Sequence, residues 1–161
     1  MRFNVSYLLD APIGAQDTIH LDERNVALED LFVHHMVGDI RLTRIDRGLL
    51  AEGDLGVTVD AECVRCLAEF SCQFKVQLDD LIFALPSMPQ SLNPYRVMEE
   101  GWLNPAPALL EQILLAFPLQ TLCRPDCRGL CSQCGSDLNT ESCQCKDELI
   151  DPRLEILRGL L

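Results

Sequence analysis

The stretch LLAEGDLGVTVDAECVRCLAEFSCQFKVQL, residues 49–78, decides the fold. Its odd positions Leu49, Ala51, Gly53, Leu55, Val57, Val59 and Ala61 are apolar or small, while Glu52, Asp54, Thr58, Asp60 and Glu62 take even ones. A period of two sends alternate side chains to opposite faces, the mark of a strand with one buried side. After CVRC the parity switches, and Phe70, Cys72, Phe74, Val76 and Leu78 alternate with Glu69, Ser71, Gln73, Lys75, Gln77 and Asp79. The two runs predict an antiparallel hairpin with Cys63 and Cys66 at or near its tip.

Upstream, residues 40–45 run into Asp46-Arg47-Gly48, a strand entering a tight turn, so residues 40–78 read as a three-stranded meander. Residues 3–9 are expected to add an edge strand. The stretch around Pro86, Pro89, Pro94 and Pro105 is rich in Pro, Asn and Ser and reads as a loop or linker. Beyond Pro105 and Pro107, the residues Leu109, Leu110, Ile113, Leu114 and Phe117 recur at helical spacing until Pro118. They predict an amphipathic helix of about three turns. Asp151-Pro152 offers an N-cap and a first-turn proline to a short terminal helix whose stripe is Leu154, Leu157 and Leu161.

The expected class is therefore α+β: an antiparallel β-meander or small partly open barrel with one or two helices and a C-terminal cysteine-rich zinc-binding module. Residues 1–85 form the β domain, 86–104 the loop or linker, and 105–161 the helix, the cysteine module and the terminal helix, packed on the β domain.

No apolar run approaches the length of a signal peptide or a membrane span, so the expected setting is the cytoplasm, with no membrane association. Thiols stay reduced there, and an odd count of 9 cysteines argues against a disulfide framework. The net charge of −12 is uneven: residues 1–122 hold 18 acids and 8 bases (net −10), and residues 123–161 hold 7 acids and 5 bases (net −2). An acidic body repels phosphate, which excludes a broad nucleic-acid face and favours a basic protein partner.

Cys72 points inward between Phe70 and Phe74 and behaves as a small hydrophobe. The other eight thiols call for a metal. Cys131-Ser-Gln-Cys134-Gly135 is a zinc knuckle, two thiolates across a tight turn, and Cys143-Gln-Cys145 supplies two more. Cys63-Val-Arg-Cys66 is half of another site, and Cys123 and Cys127 are the thiols left to complete it. The preferred partition is two Zn²⁺ ions in two closed four-thiolate sites. The alternative is one ion held by four of the six C-terminal thiols, with Cys63 and Cys66 unmetallated. Iron–sulfur binding also uses four thiolates, though no ferredoxin-like spacing is present. A redox role for CVRC lacks the helix N-terminus that depresses such thiols, since both flanks read as strands. His34 and His35, adjacent on an extended segment, point oppositely and read as ordinary structural residues. No nucleophile–base set or phosphate loop stands out, so the chain reads as non-enzymatic.

CVRCLAEF after a strand, EQILLAFPLQTLCRPDCRGLCSQCGSDLN, CQC and DPRLEILRGLL together resemble the YceD-like family of large-ribosomal-RNA-subunit accumulation proteins. The likeness covers residues 38–161 and is most specific over 122–139. It implies a factor in large-subunit biogenesis that supports 23S rRNA levels. Joined to the residue reading, it suggests a zinc-stabilised adaptor for a large-subunit ribosomal protein or assembly intermediate. Arg65, Arg124 and Arg128 are the clustered cations available to a partner or to 23S rRNA. The competing classes are a zinc-ribbon nucleic-acid module and a thiol redox protein.

Overall fold

The computed structural model describes residues 1–89 and 93–145. In chain order the elements are β1 (Phe3–Asn4), α1 (Ser6–Leu9), β2 (Gln16–Leu28), β3 (Leu31–Ile45), β4 (Gly48–Glu62), β5 (Glu69–Ala84), β6 (Trp102–Leu103) and α2 (Ala106–Ala116). The hairpin expected from the alternation is β4–β5, with Leu55 opposite Val76 and Val57 opposite Phe74. Residues 63–68 turn the chain between the two strands.

The sheet has four strands, not three, in the order β2-β3-β4-β5 with every pair antiparallel. β2 and β5 do not pair with each other, so the sheet is open and not a closed barrel. Its strands run to 13, 15, 15 and 16 residues, far longer than usual, and extra residues interrupt the pleat. His34 is inserted into β3 opposite β4, and Asn25 lies in the left-handed region at φ 53° on the neighbouring strand. On β5 an extra residue falls opposite Ala51 and Gly53, where Asp80 takes φ 56°. Each insertion reverses which parity faces inward, so both Val33 and Met36, and both Leu78 and Leu81, are buried.

The adjacent histidines lie at that insertion. Both are half-buried and bonded to carboxylates, His34 to Asp60 at 2.7 Å and His35 to Asp22 at 2.9 Å.

The buried face of the sheet carries Leu21, Met36, Leu42, Leu55, Val57, Val76 and Phe83. Ala108, Leu109 and Ile113 of α2 belong to the same core, and Phe117 meets Phe74 edge-on at 5.6 Å. Pro105 and the second-position Pro107 start α2, while the Asn104 side chain accepts the Ala106 N–H at 3.2 Å. Cys72 is buried opposite Val59.

The N-terminus departs from the expected edge strand over residues 3–9. Only Phe3–Asn4 is extended, pairing with β6, and the Asn4 side chain then accepts both the N–H and the hydroxyl of Ser6. That local turn competes with a strand and leads the chain into α1. The segment after β5, as far as it is described, is tied back to the sheet. Asn93 donates to the Ile82 carbonyl at 2.8 Å, and Ala84 exchanges backbone bonds with Tyr95 and Val97. The expected terminal helix at residues 151–161 lies outside the described residues. Among the described residues no helix is long and apolar enough to cross a membrane.

Gly38 and Gly53 lie on adjacent strands and flank the directly opposed pair Asp39 and Asp54. A Cβ on Gly38 would overlap the Asp54 carbonyl oxygen, and one on Gly53 would overlap the Asp39 carbonyl oxygen. The two glycines therefore permit a closer approach of β3 and β4 than any side chain allows.

Candidate metal centres

Two short turns have the same backbone construction. At the tip of β4–β5 the Cys63 N–H donates to the Ala68 carbonyl and the Leu67 N–H to the Cys63 carbonyl, both at 2.9 Å. Sixty-eight residues on, the Cys131 N–H donates to the Ser136 carbonyl and the Gly135 N–H to the Cys131 carbonyl, again at 2.9 Å. The residue after the second cysteine is left-handed in each, Leu67 at φ 59° and Gly135 at φ 73°. Glycine adopts that conformation freely, and Leu67 does so against its preference. Both turns hold their two thiols on one side, as a knuckle does.

A second pair of thiols meets each turn. The sulfurs of Cys63, Cys66, Cys123 and Cys127 lie within 4.8 Å of one another, and so do those of Cys131, Cys134, Cys143 and Cys145. Cys63 Sγ is 3.8 Å from Cys127 Sγ, and Cys66 Sγ is 3.6 Å from Cys123 Sγ. Zinc–sulfur bonds of about 2.3 Å in a tetrahedron require sulfurs about 3.8 Å apart, so the donor set fits a four-coordinate ion. The first set is the more enclosed, with Cys63 and Cys127 buried, whereas Cys134 and Cys145 of the second are exposed.

Residues 121–130 reach the first turn through a series of hydrogen bonds. Thr121 donates its hydroxyl to the Glu62 carbonyl at 2.6 Å and accepts the Val64 N–H at its own carbonyl. Arg65 donates to the Cys127 carbonyl at 2.8 Å, and the Leu130 N–H donates to the Arg65 carbonyl at 3.0 Å. Asn139, in the loop between Cys134 and Cys143, bonds back to the first set: its side-chain oxygen accepts the Arg128 N–H at 2.8 Å, and its amide nitrogen lies 3.5 Å from Cys127 Sγ. Thr121 and Asn139 are structural contributors that the sequence reading did not single out. The signal for Asn139 was present in Asp137-Leu-Asn139, since Asp137 accepts both the backbone and side-chain N–H groups of Asn139. No comparable signal marked Thr121, whose partners are about sixty residues away in the chain.

Of the three arginines, Arg65 is engaged by the Cys127 carbonyl, Arg124 lies 3.7 Å from Asp126, and Arg128 is exposed. Each is next in sequence to a cysteine of the first set, Cys66, Cys123 and Cys127 respectively.

The thiols in each set are electrically unequal. The backbone N–H of Cys123 is the largest influence on Cys63 and helps to bring that thiol down to about 6. Burial, followed by the crowding of Cys66 and Cys127, pushes Cys123 up to about 12. In the second set Ser136 draws Cys134 down to about 6, while Cys134 itself is the main reason Cys145 is pushed up to about 12. Four thiolates this close repel one another, so one ionises readily and another resists. A divalent cation at the centre would remove that repulsion.

A family model described as large ribosomal RNA subunit accumulation protein YceD matches residues 51–161. Uncharacterised proteins of Mycobacterium bovis and Mycobacterium tuberculosis are each 31% identical over 145 residues, spanning 85% of this chain and 68% of the relative. One from Mycobacterium leprae is 28% identical over 118 residues, 71% of this chain and 54% of the relative. No solved structure matches. The family match runs from within β4 through both cysteine sets, and on that ground the chain belongs to the YceD family of large ribosomal RNA subunit accumulation proteins.

Proposed function

We propose that this protein supports 23S rRNA accumulation as a non-enzymatic adaptor, stapled by two zinc ions, that holds a basic large-subunit ribosomal protein or an assembly intermediate. The role in accumulation of large-subunit RNA is the family's; the zinc and the adaptor mode are our reading. The observation that carries it is the closure of both sulfur sets. Each offers four thiols, the number that fills a tetrahedral zinc and leaves no position for a substrate. Soft thiolates in a tetrahedral set favour zinc among the common divalent ions. Native mass spectrometry should therefore find two zinc ions per chain and no disulfide. A single ion, with Cys63 and Cys66 freely alkylated, would remove the first site and leave the second.

The protein mode of binding follows from charge. A four-thiolate zinc site carries a net −2, which adds to a chain already at −12. On the polar side of β4, Glu52 is met by Arg41 at 3.3 Å and Asp60 by His34 at 2.7 Å, whereas Asp54 and Glu62 have no side-chain partner among the described residues. This face attracts cations and repels phosphate. Neutralising Glu52, Asp54, Asp60 and Glu62 is expected to weaken association with large-subunit precursors more than reversing the arginines does. Because Arg65 also holds the Cys127 carbonyl, the arginine arm is read from Arg124→Glu with Arg128→Glu alongside the triple variant. Loss of binding in that double variant, with tight binding of purified 23S RNA at physiological salt, would replace the adaptor by direct RNA recognition.

A further inference from the structure

An open sheet has edges, and one edge of this one is bare. β2 stands at the end of the strand order and pairs only with β3. Among the described residues no backbone group of residues 18–27 makes a hydrogen bond on the side away from β3. The opposite edge is treated differently, since Asn93, Tyr95 and Val97 close the end of β5 and α2 packs mainly beside that strand, meeting β2 more lightly, around Ala27–Glu29. Up to Arg24 the pairing of β2 with β3 runs without interruption, and the left-handed Asn25 ends the run.

The bare edge is also acidic. Over residues 16–30 the acids Asp17, Asp22, Glu23, Glu29 and Asp30 face a single base, Arg24. Asp22 and Glu23 are neighbours in the strand and so project from opposite faces. Asp22 meets His35 at 2.9 Å and the exposed Arg24 at 3.7 Å, and Glu23 has no side-chain partner among the described residues. Carboxylates on both faces of an edge discourage pairing with a like-charged strand, a second copy of this chain included. They invite a strand of the opposite charge.

We propose that the edge of β2 receives an extended lysine- or arginine-rich segment of a protein partner by strand addition. The proposal rests on the reading of a basic protein partner and specifies where its chain is held. Backbone groups of the incoming segment satisfy those of β2, and cations carried on both of its faces meet Asp22 on one face and Glu23 on the other. Affinity comes from the ladder and selectivity from the charges.

The test uses the full zinc-loaded chain and two synthetic peptides of about ten residues, the length of a long strand. One repeats Lys-Lys-Val-Val, so that lysines stand on both faces of the extended strand. The other has the same charge but proline at alternate uncharged positions, which removes the ladder donors. At physiological salt the first should bind at least about ten-fold more tightly and slow amide exchange within residues 18–24, while the second should not. Glu23→Lys alone, and Asp22→Lys with Glu23→Lys, should each reduce that affinity about ten-fold or more. Equal affinity for the two peptides, protection outside β2, or a dimer that protects the same amides would overturn strand addition. If both β2 variants still associate with large-subunit precursors while neutralisation of the β4 face abolishes it, the edge proposal fails and the adaptor reading stands. If neither set of variants affects association, both fall.

Discussion

Cys127→Ser is expected to release residues 121–130 from the hairpin tip while leaving β3–β4–β5 folded. Cys127 is buried, its carbonyl receives Arg65, and its sulfur lies 3.8 Å from that of Cys63 and 3.5 Å from the Asn139 amide. Serine is a poor substitute for a thiolate toward a soft ion, and three remaining sulfurs leave a buried site open. Structural zinc contributes on the order of 10 kcal/mol in isolated small modules, and losing a large part of that exceeds what the hydrogen bonds of Thr121, Arg65 and Leu130 can replace. The sheet has its own core in Leu42, Leu55, Val57 and Val76 and should survive. Hydrogen exchange should show lost protection of Cys127, Leu130 and Val64, with Leu55 and Val76 unchanged. Cys134→Ser, in the exposed set, should loosen residues 131–145 and spare the bond from Leu130 to Arg65. If chelation of wild type and both variants all gave unchanged protection over residues 121–145, a metal would not be what orders this segment.

Gly53→Ala is expected to destabilise the protein by more than about 3 kcal/mol, in the range reserved for clashes that cannot relax. The new Cβ would overlap the Asp39 carbonyl oxygen, which is main chain and cannot move aside without parting β3 from β4. Gly56→Ala three positions on is the matched control. There the nearest atoms to an added Cβ are those of Val37 at 3.7 Å, an ordinary contact. Thermal melts should place the Gly53 variant about 6 to 12 °C below the Gly56 variant for a chain of this size. Coincident melts would mean that β3 and β4 tolerate separation at Asp39–Asp54.

The hairpin β4–β5 was legible because its alternation is unbroken from Leu55 to Ala61 and from Phe70 to Leu78. β2 was not, for a physical reason. Its inward residues change from the odd Leu21 to the even Leu28 across the left-handed Asn25, and β3 changes from Val33 to Met36 across His34. A period-two search loses the signal at each inserted residue, and the polar run Asp22-Glu23-Arg24-Asn25 hides what remains. β1 was legible only in part: the expected edge strand over residues 3–9 is cut to Phe3–Asn4, whose pairing depends on Trp102 and Leu103. The sequence left the thiols open between two sets and one, and the structure gathers two sets of four. The ladder of contacts from Thr121 and Asn139 could not be read, since it depends on residues brought together only by the completed hairpin.

The two sulfur sets differ in the length of chain each must close, and this gives them an order in time. The second set lies within one short segment, with Cys131 and Cys145 separated by 145 − 131 = 14 positions. The first joins Cys63 to Cys127 across 64 positions and Cys66 to Cys123 across 57. Closing the longer loop costs about 1 kcal/mol more by chain statistics, and it also waits for β4 and β5 to present Cys63 and Cys66 on the same turn. The local knuckle could capture an ion in an otherwise unfolded chain. The long-range set could do so only after the hairpin exists, so a metal there would act as a late latch. When zinc is scarce, the protein that accumulates would be a folded sheet with one charged knuckle hanging from it, recognisable by the ion it holds and the one it lacks.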